Sequence, residues 1–399
     1  MTGAQSTGRP ALAVVVAAVV LVGLNLRGPL VAVPPVAGAV RADLGISAPQ
    51  LGLLTSIPVL CFGLGAPLAL LVVRRLGAER AVLVCLAGIV VGVLLRSTGG
   101  FGLALAATVL LGLAITVGNV AVPVLIRADV APRGRGTVTG LYSSGLNTGT
   151  MLTSVGTAPL AELVGWRGAT AAWDVLALVA AGYWLVLLRG RRRDVLPLAA
   201  GEPRAAARRD LADALPWLLA VTFSAQAFSY YGLTAWLPSL LSDELGLPPS
   251  GAGDASAIFQ IAGLLGSTLV PVATGRIGPR RALLAVGVLW VVLPIGLLLA
   301  PGLFALWSVV GGAAQGGGFS AIFAILVVAA RDERHSAFLS AFVQGVGYVV
   351  AAAAPTLVGA LHAGSGGWAA PLLAVVVSTS LFLVVGGFAA VSAARRTPS

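Results

Sequence analysis

The 399-residue sequence has no lysine, two histidines and two cysteines, and only 10% of its residues are charged. Without lysine it lacks the phosphate-binding lysine of an ATP-driven P-loop and any Schiff-base chemistry. Cys61 and Cys85 fall in apolar runs and His335 and His362 lie far apart, so neither a disulfide framework nor a structural zinc site can be assembled. Both cysteines read as packing residues. No metal or cofactor is expected. A soluble domain is about 45 to 50% apolar and about 25% charged. Here the figures are 58% and 10%, with a mean hydropathy of +0.99, which leaves too little polar surface for a water-soluble globule. The chain belongs in a bilayer, and at roughly 20 residues per spanning helix twelve spans use about 240.

Apolar runs broken by Arg, Gly and Pro clusters predict helices near 11–38, 49–73, 81–96, 101–126, 135–161 and 168–188. A second set follows near 215–241, 252–274, 281–300, 302–329, 336–361 and 369–392. The first run is too long for a signal-peptide core and is expected to be retained. Residues 1–188 form an N-terminal six-helix half, 189–214 a charged, solvated cytoplasmic linker, and 215–399 a C-terminal six-helix half. Shifting the chain by 201 residues aligns Leu44-Gly45 with Leu245-Gly246, Gly52 with Gly253, Arg75 with Arg276, Gly77 with Gly278 and Arg80 with Arg281. This predicts two parallel halves of the kind that rock around a central site.

Short cytoplasmic loops carry the basic excess. With the amino terminus inside, 21 of the 25 arginines are cytoplasmic. Outer loops keep Arg41, Arg96 and Arg167, and Arg27 sits within a helix. Both termini are therefore expected in the cytoplasm. The net charge of +11 follows from this topology and gives no reason to expect nucleic-acid binding.

An arginine at mid-bilayer costs about 2.5 to 3.5 kcal/mol even on the lenient insertion scale, so Arg27 needs a purpose. Either it pairs with a buried carboxylate, or it faces a wet cavity and meets an anionic or strongly dipolar solute. Acids inside the predicted spans are scarce, Asp174 being the clear case, which favours the second reading. Asp174 lies two turns from the outer end of its helix and reads as structural or headgroup-facing, with coupling to a proton as the lesser alternative. Asn25, Asn119, Gln226, Gln260, Gln315 and Gln344 add amides at depth, and Ser340, Gln344 and Tyr348 share a helical face. The glycines around Gln315 predict close helix approach. His335 and His362 read as solvated loop residues.

The turns at 69–80 and 270–281 resemble the loop signature of the major facilitator superfamily, although Arg74 and Gly275 stand where that family usually has Asp. The resemblance makes Arg75, Gly77, Arg80, Arg276, Gly278 and Arg281 a cytoplasmic gate. More specific stretches are similar to the cyanate permease and 2-nitroimidazole transporter branch. They are Leu24-Asn25-Leu26-Arg27-Gly28-Pro29, Gly118-Asn119 with Pro123, Tyr142, Gly165-Trp166-Arg167, Gln226 with Tyr231, and Trp236-Leu237-Pro238. Gln315-Gly316-Gly317, Leu339-Ser340, Gln344, Gly347-Tyr348 and Pro355 follow.

The resemblance implies an all-α, twelve-helix monomeric carrier in a bacterial cytoplasmic membrane, not an enzyme, with predicted helices 1, 4, 7 and 10 lining the pathway. The expected cargo is a small polar, anionic solute, cyanate-like or small carboxylate-like, moved by alternating access. Arg27 would supply charge; Asn25, Asn119, Gln226, Gln315 and Gln344 would orient the solute; Tyr142, Tyr231, Trp236 and Tyr348 would form walls or gates. Efflux of a neutral heteroaromatic drug such as a nitroimidazole is the nearest rival. A lipid-active membrane enzyme and a non-transporting receptor are more distant ones.

Overall fold

The computed structural model describes residues 12–131, 134–189 and 211–395. Most of the predicted linker, and with it Arg191 to Arg209, lies outside the described residues, as do Arg9, Arg133 and Arg396. The helices are α1 (Leu12–Val31), α2 (Ala37–Leu44), α3 (Ala48–Leu64), α4 (Ala66–Leu76), α5 (Ala78–Thr98), α6 (Phe101–Asp129), α7 (Arg135–Ala172) and α8 (Asp174–Arg189) in the first half. The second half has α9 (Ala214–Leu245), α10 (Pro249–Ile277), α11 (Pro279–Leu299), α12 (Phe304–Ala329), α13 (Glu333–Ala351), α14 (Ala353–Ser365) and α15 (Ala369–Ala394).

Among the described residues, ten stretches are long and apolar enough to cross a bilayer, counting the bent pair α3 and α4 as one. One of them, Thr137–Arg189, is 53 residues long and breaks at Gly165, where φ is 72°, so it makes two spans. The helix α9, richer in Ser, Thr, Gln and Tyr, completes twelve. Three predicted spans prove discontinuous. The first ends early because Pro34 and Pro35 lack the amide hydrogens a helix needs, and a 3-10 turn at Pro34–Val36 leads into α2. The second bends by 62° between α3 and α4, and the eleventh breaks at Ala352.

The repeat is visible in the backbone. All positive-φ residues among those described are glycines, and they form three pairs at the predicted 201-residue offset: Gly45 with Gly246, Gly77 with Gly278, and Gly165 with Gly366. A side chain there would be strained, so each pair fixes the same helix end in both halves. The helix contacts repeat too. In the first half α1 packs on α7 and α8, and α6 on α3 and α5; in the second α9 packs on α13 and α15, and α12 on α10 and α11. Glycines permit the closest of these approaches: Gly149 lies against the Leu24 carbonyl, and Gly312 and Gly316 against the carbonyls of Phe259 and Gly263. The outer surface is apolar, with exposed side chains such as Leu64, Val186, Leu269 and Val377, as a lipid-facing bundle requires.

The halves meet through α3 with α13 and α14, through α7 with α10, and through the Pro34–Val36 turn with α9 and α10. Close contacts lie at the Pro34 end of the bundle and also farther along α3, where a Cβ on Gly63 would come within 2.9 Å of the Gly345 carbonyl oxygen. A Cβ on Gly52 would come within 2.8 Å of the Pro355 carbonyl oxygen, and Ser56 and Thr356 share a hydrogen bond of 3.0 Å between their hydroxyls. Gly253 sits close to the Ser154 carbonyl and to Pro35. At the opposite end, α4 packs on α3, α5 and α6 of its own half.

Candidate functional site

Between α1, α3 and α9 lies a cavity of about 340 Å³, part of it open to solvent. Helix α1 and the turn after it contribute Arg27, Leu30, Val31 and Pro34. Helix α3 contributes Thr55, and α9 contributes Tyr230, Tyr231, Thr234 and Ala235. The Arg27 guanidinium carbon sits 5.8 Å from the centre of the Tyr230 ring, a cation–π contact across the two halves. Its electrostatic surroundings are Tyr230, Tyr231, Tyr348 and Tyr142. No ion pair is formed by Arg27 among the described residues, so the buried-carboxylate explanation finds no support there.

The aromatic wall belongs to the second half. Tyr230 and Tyr231 meet edge to face at 5.0 Å, Tyr231 lies 6.5 Å from Tyr348, and Tyr348 touches Phe62 and Phe223. Behind Tyr230, Phe259 and Trp290 stack in succession. The Thr234 hydroxyl is buried in this wall without a hydrogen-bond partner, whereas Thr55 donates to the Gly52 carbonyl.

Of the ten residues expected to hold the solute, Arg27 and Tyr231 line the cavity, while Tyr142 and Tyr348 stand close to the guanidinium. Asn25 faces away and donates to the carbonyls of Leu21 and Leu176, tying α1 to α8. Gln226 donates to the Gln315 backbone carbonyl, joining α9 to α12. Trp236 is buried and donates to the Pro355 carbonyl at 2.7 Å. Gln344 donates to Ser340 on its own helix, Gln315 is half-buried and Asn119 is exposed. The amides and Trp236 that bond carbonyls are thus engaged in architecture in this conformation. In the predicted gate, Arg75, Arg80, Arg276 and Arg281 are exposed, and Gly77 and Gly278 supply the turns. Sequence reasoning missed Tyr230, Thr234 and Thr55.

Several other readings change. Arg96 is not an outer-loop residue: it is buried within α5, 2% exposed. Asp174 is buried and does not face headgroups. His335 is buried, its Nδ1 accepting from the Arg331 amide. His362 stacks on Trp368 at 4.1 Å beside Asp243. The Gly165-Trp166-Arg167 stretch is a latch: Gly165 allows the break, Trp166 donates to Asp43, and Arg167 pairs with Asp43 at 2.8 Å while donating to the carbonyls of Ser97 and Gly99.

The Major Facilitator Superfamily pattern matches residues 15–248 and again 219–398. Over 384 residues, 94% of this chain and 92% of its relative, the sequence is 32% identical to the uncharacterized transporter YycB of Bacillus subtilis (strain 168). It is 29% identical to the 2-nitroimidazole transporter of Escherichia coli (strain K12), covering 94% of each. It is 28% identical to the cyanate transport protein CynX of the same strain, covering 90% and 93%. Among solved structures, a bacterial homolog to the human lysosomal transporter Spinster, inward-facing and unoccupied, superimposes with a TM-score of 0.74 at 18% identity over 97% and 98% of the chains. Nucleoside transporter NupG does so with 0.74 at 11% identity over 95% and 99%. These distant likenesses support the fold. With two matching halves and relatives aligned along nearly its whole length, the chain belongs to the major facilitator superfamily and is a multi-pass membrane transporter, not an enzyme.

Proposed function

We propose that the chain is a monomeric secondary transporter that carries a small polar anion, of cyanate-like or small carboxylate-like chemistry, across a bacterial cytoplasmic membrane by alternating access. The observation that carries this reading is Arg27, set in a cavity between the halves with tyrosines and, among the described residues, no carboxylate as its electrostatic neighbours. Burying the guanidinium costs about 2.5 to 3.5 kcal/mol, and a cation–π contact returns roughly 0.5 to 2 kcal/mol. An anion supplies the remainder. The Thr234 hydroxyl, buried in the cavity wall, offers a hydrogen bond.

With the arginine-rich loops and both termini in the cytoplasm, the Pro34 end faces outside. The contacts of Gly52, Ser56 and Gly253 then close the outer side, and cargo enters and leaves from the cytoplasm in this conformation. The expected gating arginines are exposed in this conformation, and on this reading they engage in the alternate one. A second reading has a specific support: the aromatic wall of Tyr230, Tyr231 and Tyr348 suits a flat ring, and a relative is a 2-nitroimidazole transporter. On that reading Arg27 meets a nitro group and net movement is outward.

The test combines a thermal-shift screen of small anions and nitroheteroaromatics on purified protein with flux into proteoliposomes. On the anion reading, Arg27→Ala abolishes flux while membrane insertion and melting temperature stay near those of the parent. Equal loss of folding marks Arg27 as architecture, and a shift by nitroimidazole alone selects the second reading.

A further inference from the structure

A second, small cavity lies inside the N-terminal half, on the other side of α1. Asn25, Gly28, Thr153, Trp173, Asp174 and Leu176 line it. Both Asp174 carboxylate oxygens are buried there without a hydrogen-bond partner, and so are both terminal nitrogens of Arg96 on α5. Arg96 is the charged group whose field reaches Asp174, yet the two form no ion pair. An ionised carboxylate sealed from water with no donor is strongly disfavoured, and a buried pair that has not closed leaves both charges uncompensated.

We infer that Asp174 and the cavity around it form a proton site, with Arg96 as the partner that closes on the carboxylate when the proton leaves. With the proton bound, the carboxylic acid is neutral and Arg96 stands apart, as here. When the proton departs, the carboxylate draws the flexible Arg96 side chain across between α5 and α8. No electrons move, and the transferred species is the proton. The other charged groups nearby are already committed or turned away: Arg167, on α7, is held by Asp43, Ser97 and Gly99, and Arg27, on α1, lines the other cavity.

Helix α1 gives this site a way to act. Its residues Asn25 and Gly28 line the proton cavity while Arg27, Leu30 and Val31 line the cavity between the halves. Asn25 donates to the carbonyl of Leu176, two residues beyond Asp174, at 3.3 Å. A movement of α8 toward Arg96 therefore pulls on the helix that carries Arg27. A proton also balances cargo charge, since an anion carried alone into a negative-inside compartment is opposed by the membrane potential. The inference rests on the transporter assignment and not on the anion reading.

The deciding measurement is infrared difference spectroscopy of the full chain in liposomes, titrated with pH and compared with Asp174→Asn. The expected result is one protonated-carboxyl C=O band that titrates apart from the surface acids and is missing in the variant. Difference spectra with no such variant-dependent band would overturn the site, because Asp174 would then be ionised throughout. In the second arm, proteoliposomes with cyanate as probe should show exchange at the parental rate in Asp174→Asn while accumulation driven by a pH gradient falls at least tenfold. Accumulation in the parent driven by a sodium gradient, or by pH equally well in Asp174→Asn, would also overturn it. If the parent moves no cyanate, the anion reading suffers and the infrared arm still decides the proton.

Discussion

Replacing Gly52 with valine tests whether the contacts at the Pro34 end are a gate. A Cβ there would lie 2.8 Å from the Pro355 carbonyl oxygen and from Thr356 Cα. Both obstacles are backbone, so no side chain can turn aside, and the halves must part locally by at least about 0.6 Å to reach the 3.4 Å at which ordinary contact begins. Overpacking of this kind costs about 1 to 3 kcal/mol. Stretching the 3.0 Å Ser56–Thr356 hydrogen bond adds roughly 0.5 to 1.5 kcal/mol. The closed-outside conformation should then lose on the order of 10- to 10³-fold in population against the alternate one. The readout is a cysteine at Leu30 in a background with Cys61 and Cys85 replaced, labelled from outside with an impermeant maleimide. Gly52→Val should raise the labelling rate at least tenfold and slow cytoplasmic release of cargo. Parental labelling and flux would refute the assignment of this contact as the gate.

Three other outcomes follow from the same geometry. Arg27→Gln should weaken solute binding by about 10- to 150-fold, the equivalent of losing a charged hydrogen bond of about 1.5 to 3 kcal/mol, in a thermal-shift titration. Thr234→Val removes a buried hydroxyl that has no partner, so unliganded stability should hold or rise while affinity falls roughly 2- to 10-fold; falls in both would place that hydroxyl in the architecture. Arg167→Ala breaks the latch with Asp43 and the Ser97 and Gly99 carbonyls. Because the pair is more than a third exposed, the expected loss is about 1 to 2 kcal/mol of stability with solute affinity unchanged, as read by melting with and without ligand.

Hydropathy was enough to place the spans, since lipid selects for apolar length, and the glycines of the 201-residue repeat mark helix ends whose φ only glycine takes without strain. The site was half legible. Arg27 was conspicuous because its cost was visible in the sequence. Depth alone could not say which way its neighbours point, yet a signal was present: Asn25 and Arg27 are two residues apart, about 200° around a helix, and cannot share a cavity. The same rule separates Trp236 from Thr234. Gln226 and Gln315 could not be assigned this way, because their pairing depends on α9 and α12 approaching across glycine. For Asp174 and Arg96, position along a helix does not say which way the side chain faces: Arg96 stands in the last turn of α5 yet is buried, and the cavity beside Asp174 arises only from packing of α1, α5, α7 and α8.

The repeat also locates where function departs from architecture. At the 201-residue offset Leu30 corresponds to Tyr231 and Pro34 to Ala235, and all four line the cavity. It therefore lies between equivalent faces of α1 and α9, on the axis that relates the halves. Asn25 and Gln226 also correspond, and both are spent on carbonyls of neighbouring helices, so these matched amides keep matched structural duties. The charged and phenolic positions do not match: Arg27 corresponds to Phe228, and Tyr230 to Pro29. Broken symmetry puts the cation on one half and its ring on the other, joined at 5.8 Å across the interface that must move. A solute bridging Arg27 and the tyrosines binds differently whenever the halves rotate, and only a ligand that distinguishes two conformations can shift their populations. A double-mutant cycle of Arg27→Gln with Tyr230→Leu should therefore show coupling in solute binding, and additivity between them would break the link between binding and rocking.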